Sequence, residues 1–431
     1  MLINRTLMMF ACLGPLAAGE STPAPLTLAD AVAASQAEHP DAAVALARLA
    51  EAHARLRQAN AALLPRVSVG STYTITDQPA MAFMGLINHG AYSPTINANE
   101  PPTVDNLNLG ASILVPLYTP GTWSGRAAAR HGTAAARAGQ EAARNALTMT
   151  TVQAFIGVHR AVAHVTAARS TLASAEANLA TARSRNAAGT LSKADLLGLE
   201  AQRAGARSQV AATQGGLELA GQALAAALGR SGSITLVAAL PELSVPADLR
   251  PGKKPELTAA REQVAASDAS LEQARAQHLP RLGAFGGYDY DRGYKQEGEG
   301  QSWHVGVGVE WTIFSGGGVQ GAIEEAEAKR SAARAEARRT SLQIEQGRAA
   351  ARTRYATITE QLAAAQAQSS AAEEADRLQA ERFAAGVASA TDVTGAEATV
   401  AQARAAVADA QAGLNMTITD LRWHYGLPIL P

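Results

Sequence analysis

Twice in this chain an unbroken helical pattern of roughly 60 residues follows directly on a short alternating run. At 1.5 Å per residue such a helix spans on the order of 90 Å, several times the width of an ordinary domain. A chain built on it cannot fold around one globular core. The pattern is that of a coiled coil. Val158, Val165, Leu172 and Leu179 fall seven apart, as do Val393, Val400, Val407, Leu414 and Leu421. Leu196, Val210, Leu217 and Leu224 keep the same frame, broken at Arg203. A sustained seven-residue period winds helices left-handedly around their neighbours. With 17% charged and 4% aromatic residues, the chain leans on alanine, whose small side chain lets long helices approach closely.

The two long patterns belong to two copies of one unit. "NAAGTLSKADLLGLEAQ" from Asn186 aligns with "FAAGVASATDVTGAEAT" from Phe383. Gly189 and Gly386, Ser192 and Ser389, Asp195 and Asp392, Glu200 and Glu397, and Gly229 and Gly426 all keep an offset of 197 positions. Upstream, Pro40 to Pro65 and Pro255 to Pro280 each span 25 positions, and both copies end a helix at Leu-Pro-Arg. This is an internal duplication. The predicted division is a leader at 1–19, a first repeat at 20–230, a connector at 231–254 carrying one short strand, and a second repeat at 255–431.

Each copy carries two strand-like runs, at about 66–76 and 104–117, then about 281–290 and 302–314. Trp303, Val305, Val307, Val309, Trp311 and Ile313 alternate with His304, Gly306, Gly308, Glu310 and Thr312; Leu107, Leu109, Ala111, Ile113, Val115 and Leu117 alternate likewise. Apolar residues facing lipid, polar residues or glycine facing a wet lumen, and aromatics near the ends form the pattern of a membrane barrel. The expected lipid-facing positions are Val305, Val307 and Val309, with Gly306 and Gly308 inside. Four strands cannot close a barrel, and open edges are not tolerated in lipid, so several chains must share one.

Between the last strand and its helix lies "SGGGVQG", with Gly316, Gly318 and Gly321 at G-x-G-x-x-G spacing. A dinucleotide site needs a second parallel strand and an acidic residue about 20 residues on, within a compact βαβ unit. The helical pattern after Gly321 runs on to about Phe383, so these glycines are read as a strand-to-helix turn.

The first residues, "MLINRTLMMFACLGPLAAGE", read as a secretory signal peptide cut before Glu20. The one cysteine, Cys12, lies within it, and Met9-Phe10-Ala11 fits a lipoprotein signal poorly. No later run is apolar enough for a spanning helix. A net charge of −1 gives no general attraction to nucleic acid. His159 and His164 are five apart, off any shared helix face, so no metal site is expected, and no catalytic residue or cofactor is assigned. "DQPAMAFMGLINHGAYSP", Asp77 to Pro94, lies in the first hairpin loop. Its apolar residues Met81, Phe83, Met84, Leu86 and Ile87 are expected to pack over the barrel mouth.

Taken together, the duplicated Leu64-Pro65-Arg66 and Leu279-Pro280-Arg281, the turns "VPLYTPGTWSG" and "WTIFSGGGVQG", and the tips "AAGTLSKADLL" and "AAGVASATDVT" resemble the outer-membrane efflux proteins, the TolC-like outer membrane factors. The resemblance implies a mainly α chain with a membrane β-barrel, in a homotrimer. Each chain would give four strands to a shared twelve-stranded barrel, continued by a long α-helical coiled-coil tunnel. It implies a passive exit duct in the outer membrane of a Gram-negative bacterium, with a large periplasmic portion. The duct would serve a tripartite efflux or type I secretion system, with a periplasmic adaptor (membrane fusion) protein and an inner-membrane pump of RND or ABC type as partners. The alternative is a periplasmic adaptor, which also has a long coiled hairpin but lacks paired barrel strands.

By the same resemblance Asp392, and its twin Asp195, narrow the periplasmic aperture. Gly189 and Gly386 make the tip turns. Gly121, Gly125, Gly316, Gly317, Gly318 and Gly321 make the strand-to-helix turns. Asp392 and Asp195 also read as helix caps, since Ser389-x-x-Asp392 and Ser192-x-x-Asp195 have capping-box spacing. The chain departs from the family elsewhere. Gly395 stands where some members have a second acidic ring, Ala388 where the best-known member has a locking arginine, and Phe383 where that arginine has its tyrosine partner.

Overall fold

The computed structural model describes residues 25–97, 99–245 and 249–429; the expected leader and Cys12 lie outside them. Helix α1 (Leu28–Glu38) opens at Thr27, whose hydroxyl accepts from the Asp30 amide at 3.1 Å. The sequence pattern runs on through His39, but the structure breaks there. A residue before proline is driven out of the helical region, and His39 is extended at φ −66, ψ 133. Pro40, with no amide hydrogen to leave unpaired, starts α2 (Pro40–Ala61).

Strand β1 (Arg66–Thr76), helix α3 (Pro79–Asn88) and strand β2 (Val104–Tyr118) follow, then α4 (Pro120–Ala187) and α5 (Lys193–Ala227). The second half runs α6 (Pro255–Arg275), one 3-10 turn (Ala276–His278), β3 (Arg281–Gly293), β4 (Gly298–Glu310), α7 (Gly318–Ala384) and α8 (Ala390–His424). Helices α4 and α7 have 68 and 67 residues, about 100 Å each. The seven-residue seams sit at the packed faces: Val158, Val165, Leu179, Leu224, Val393, Val400 and Leu421 are buried. Midway along the bundle, Met149, Val152, Phe155 and Ile156 of α4 meet Leu28 of α1, Leu224 of α5 and Ile418 of α8 in the largest apolar cluster. The connector passes here too. Among its described residues it forms no strand, only a single parallel bridge between Val237 and Leu26.

The four strands form one antiparallel sheet in the order β1-β2-β3-β4. Strand β4 lies four positions earlier than the alternation suggests. It is paired from Gly298 to Glu310, and Trp311 and Ile313 lie beyond it. The cause is the partner. Strand β3 begins at Arg281, opposite Glu310, and Pro280 before it has no amide to offer. The apolar residues after Glu310 keep the alternating pattern with nothing left to pair. Trp311 instead donates from Nε1 to the His278 carbonyl at 2.9 Å.

Register separates two faces. One carries the rows Val67–Ile113–Gly286–Val305 and Val69–Ala111–Tyr288–Trp303. On it Val305, Val307 and Val309 are 74%, 65% and 71% exposed. The other carries Ser68–Ser112–Gly287–His304 and Thr72–Asn108–Asp291–Gly300. There Asn106 and Asn108 donate to Asp291 at 2.6 and 3.2 Å.

Candidate functional site

At the end of the bundle far from the sheet, the two helical hairpins turn side by side. Helix α4 ends at Ala187 and α7 at Ala384. Gly189 (φ +74) and Gly386 (φ +83) then take the left-handed conformation that a side chain resists. Leu179, Ala182, Leu199, Phe383, Ala390 and Val393 make a local apolar core between the hairpins. Asp392 closes a full capping box on α8. Its amide donates to Ser389 Oγ at 3.2 Å, and the Ser389 amide and hydroxyl donate to its Oδ2 at 2.9 and 2.8 Å. These bonds from Ser389, backbone first, together with Arg382, hold the Asp392 carboxyl below its ordinary value. The carboxylate is exposed, so its charge is presented to solvent.

Asp195 does less. Its amide donates to Ser192 Oγ at 3.0 Å and its Oδ2 accepts from the same hydroxyl at 2.7 Å. Among the described residues the Ser192 amide makes no reciprocal bond, so the box expected there is half formed.

At the sheet end, the strand-to-helix passages differ. Gly316 and Gly317 have φ +61 and +86, and Gly317 precedes α7. Gly318 and Gly321 are already helical. Gly121 and Gly125 also lie inside α4, which starts at Pro120 without a glycine turn. Both face Gln273 of α6, Gly121 at ordinary contact distance and Gly125 against the movable end of its side chain. A Cβ on Gly125 would come within 2.9 Å of the Gln273 side chain of α6, and one on Gly121 within 3.5 Å of the Gln273 carbonyl.

Residues 32–230 and 252–423, most of the chain, match the family described as Outer membrane efflux protein. The chain belongs to that family. Its fold is similar to that of the outer membrane protein VceC from Vibrio cholerae, at 20% identity over 93% of this chain and 96% of that one, TM-score 0.79. It is also similar to the CmeC outer membrane channel of Campylobacter jejuni, at 17% identity over 98% and 94%, TM-score 0.79. The open-state MtrE outer membrane channel of Neisseria gonorrhoeae gives 19% identity over 94% and 89%, TM-score 0.75. A comparison with curated protein sequences finds no match.

Two features of this efflux protein's tip escape a reading of sequence alone. Arg185, in the last turn of α4, donates from Nη1 to the Phe383 carbonyl at 2.6 Å and lies over the Phe383 ring at 4.9 Å. The signal is a break in the repeat: the position of Phe383 is occupied in the first copy by Asn186. That amide serves its own turn, donating to the Leu191 carbonyl at 2.8 Å. The second feature is Glu397. It is 2% exposed and accepts from Asn178 of α4 and Gln202 of α5. Its twin Glu200 faces outward to Arg183 at 3.1 Å. The two histidines have separate partners: His159 Nε2 meets the Ala238 carbonyl and His164 Nε2 the Asp409 carboxylate, both at 2.9 Å. Among the described residues no group of three metal-ligating side chains could hold an ion.

Proposed function

We propose that the protein is the passive outer-membrane exit duct of a tripartite efflux or type I secretion assembly, working as a homotrimer. The observation that carries this reading is the sheet. Among the described residues its β1 and β4 edges lack partners, while one face offers exposed valines and Trp303 and the other hydroxyls, amides and carboxylates. Open edges beside a lipid-facing surface call for more strands. Three copies give twelve, and the helices leaving the sheet continue it as a tunnel into the periplasm. A periplasmic adaptor and an inner-membrane pump of RND or ABC type would meet the tip. The two halves, 20–230 and 255–431, would be copies of one ancestral unit. Asp392, and to a lesser extent Asp195, would ring the periplasmic aperture, with Gly189 and Gly386 as the turns beside it. Paired strands ahead of each long helix favour this over an adaptor.

The test is migration of the membrane fraction on a gel with and without heating, after cross-linking. A heat-modifiable species of three chains in outer-membrane vesicles is the expected outcome. A monomer extracted without detergent would sink the reading.

A further inference from the structure

Helix α3 lies in the connection between β1 and β2, and it docks on the polar face of the sheet. Ala82 and Leu86 are fully buried against Val104, which begins β2 on the face shared by Asn106 and Asn108. The seat is cut to shape by three glycines on that same face. A Cβ on Gly300 would come 1.9 Å from the Asn88 carbonyl oxygen, one on Gly298 2.3 Å from the His89 carbonyl oxygen, and one on Gly293 2.9 Å from the His89 ring. These contacts are backbone or a fully buried ring, so no flexible side chain can step aside. Asp105 ties the neighbouring β3–β4 turn down, accepting the amides of Tyr294 and Lys295 at 3.2 and 2.7 Å.

The other side of α3 is apolar and bare. Met81, Met84 and Ile87 are about half exposed, at 50%, 54% and 45%. Between this side and the sheet runs a groove of about 340 Å³, floored by Thr74, Thr76 and Asn106 and edged by Met81 and Met84. A helix on the polar face of a lipid-facing sheet is inside the barrel. The loop therefore does more than cover the mouth.

We propose that α3 is a fixed element of the duct's outlet, and that Met81, Met84 and Ile87 of three chains form an apolar collar there which sets what leaves. A wet pore narrowed by apolar side chains resists hydrated ions. Methionine's flexible thioether adapts to apolar and amphipathic molecules of varied shape. The collar thus selects for amphipathic small molecules at the end of the duct opposite Asp392. The proposal rests on the trimeric barrel reading above.

The test uses the full chain with Cys12→Ala, which has no other cysteine. Met84→Cys trimers in a planar bilayer receive 2-sulfonatoethyl methanethiosulfonate, with labelling verified by mass. Conductance falls by about half or more on labelling, while Val305→Cys, on the apolar face, keeps its conductance. Unchanged conductance in fully labelled Met84→Cys overturns the collar. So does unchanged conductance in the combined Met81→Ser, Met84→Ser and Ile87→Ser variant, for which a rise of about twofold or more is expected. Absence of trimers in the unaltered chain overturns the barrel reading instead.

Discussion

Arg185 ties the end of α4 to the end of α7, its Nη1 donating to the Phe383 carbonyl at 2.6 Å while its guanidinium carbon lies over the Phe383 ring, 4.9 Å from the centroid. The two residues stand on different hairpins, 198 positions apart. The arginine also reaches its own turn, donating from Nη2 to the Thr190 carbonyl at 3.4 Å. One cation thus reaches both tip turns.

Arg185→Ala should loosen the tip. A charged hydrogen bond and a cation–π contact together are worth on the order of 1–3 kcal/mol, and resting conductance should rise. Arg185→Lys retains charge but not the planar fork, so it should lie closer to alanine than to arginine. Single-channel recording of both variants checks this. A resting conductance equal to that of the unaltered protein in Arg185→Ala would make the contact a packing detail.

Asp392 caps α8, and its proposed place at the aperture can be tested apart from that cap. Asparagine keeps an acceptor for the Ser389 amide and hydroxyl, so Asp392→Asn should cost about 0.5–1 kcal/mol of helix stability at most. The charge is lost outright. If three carboxylates converge at the aperture, cation preference in a salt gradient should drop, while Asp195→Asn changes it less. The bonds from Ser389 hold the Asp392 carboxyl low, so the charge, and the stability it gives above its ordinary value, persist as pH falls and vanish only below that value. Reversal potentials measured from neutral pH to about pH 3 should show a late loss of selectivity. Equal reversal potentials for Asp392→Asn and the unaltered protein would leave only the cap.

The sequence made the repeating devices legible: heptad seams, alternating strands, Leu-Pro-Arg before each strand, and Ser-x-x-Asp at each returning helix. These depend on neighbours within a few positions. It was misleading at Trp311 and Ile313, because alternation reports side-chain type and not whether a partner strand still runs alongside. It was silent on Arg185 and Glu397, whose partners come from hairpins about 200 positions away and whose residue types are common along the chain. The glycines divided for a similar reason. Composition could not tell Gly317, which needs a positive φ, from Gly125, which is helical and lies beside the Gln273 side chain.

Glu397 predicts an acid-stabilised tip. Burial pushes its carboxyl up, Asp376 adds to this, and the Asn178 and Gln202 amides oppose it. A carboxyl whose value is raised in the folded state takes its proton more readily there. Stability from this site is therefore gained as pH falls from neutral through the raised value, and levels off below the ordinary 4.5. Glu397→Gln, neutral and still able to bond, should remove most of the pH dependence. Melting of the purified protein in detergent at pH 5 and 7.5 checks this, and an unaltered pH difference in Glu397→Gln would move the effect to Asp376, which burial also raises.

The two faces of the sheet predict opposite outcomes for neighbouring substitutions. Val307→Arg places a charge on the exposed apolar face and should lower the stability of the proposed barrel by roughly 2–4 kcal/mol near mid-bilayer. Gly308 lies on the other face, where a Cβ meets only the Phe285 ring at 3.7 Å, so Gly308→Asp should assemble. Gly306 is on that face too, but its Cβ would be 2.6 Å from the same ring; Gly306→Ala should be tolerated only with a shift of Phe285. Heat-modifiable migration of the three variants gives the comparison. Assembly of Val307→Arg alongside failure of Gly308→Asp would mean that the valine face lines the lumen.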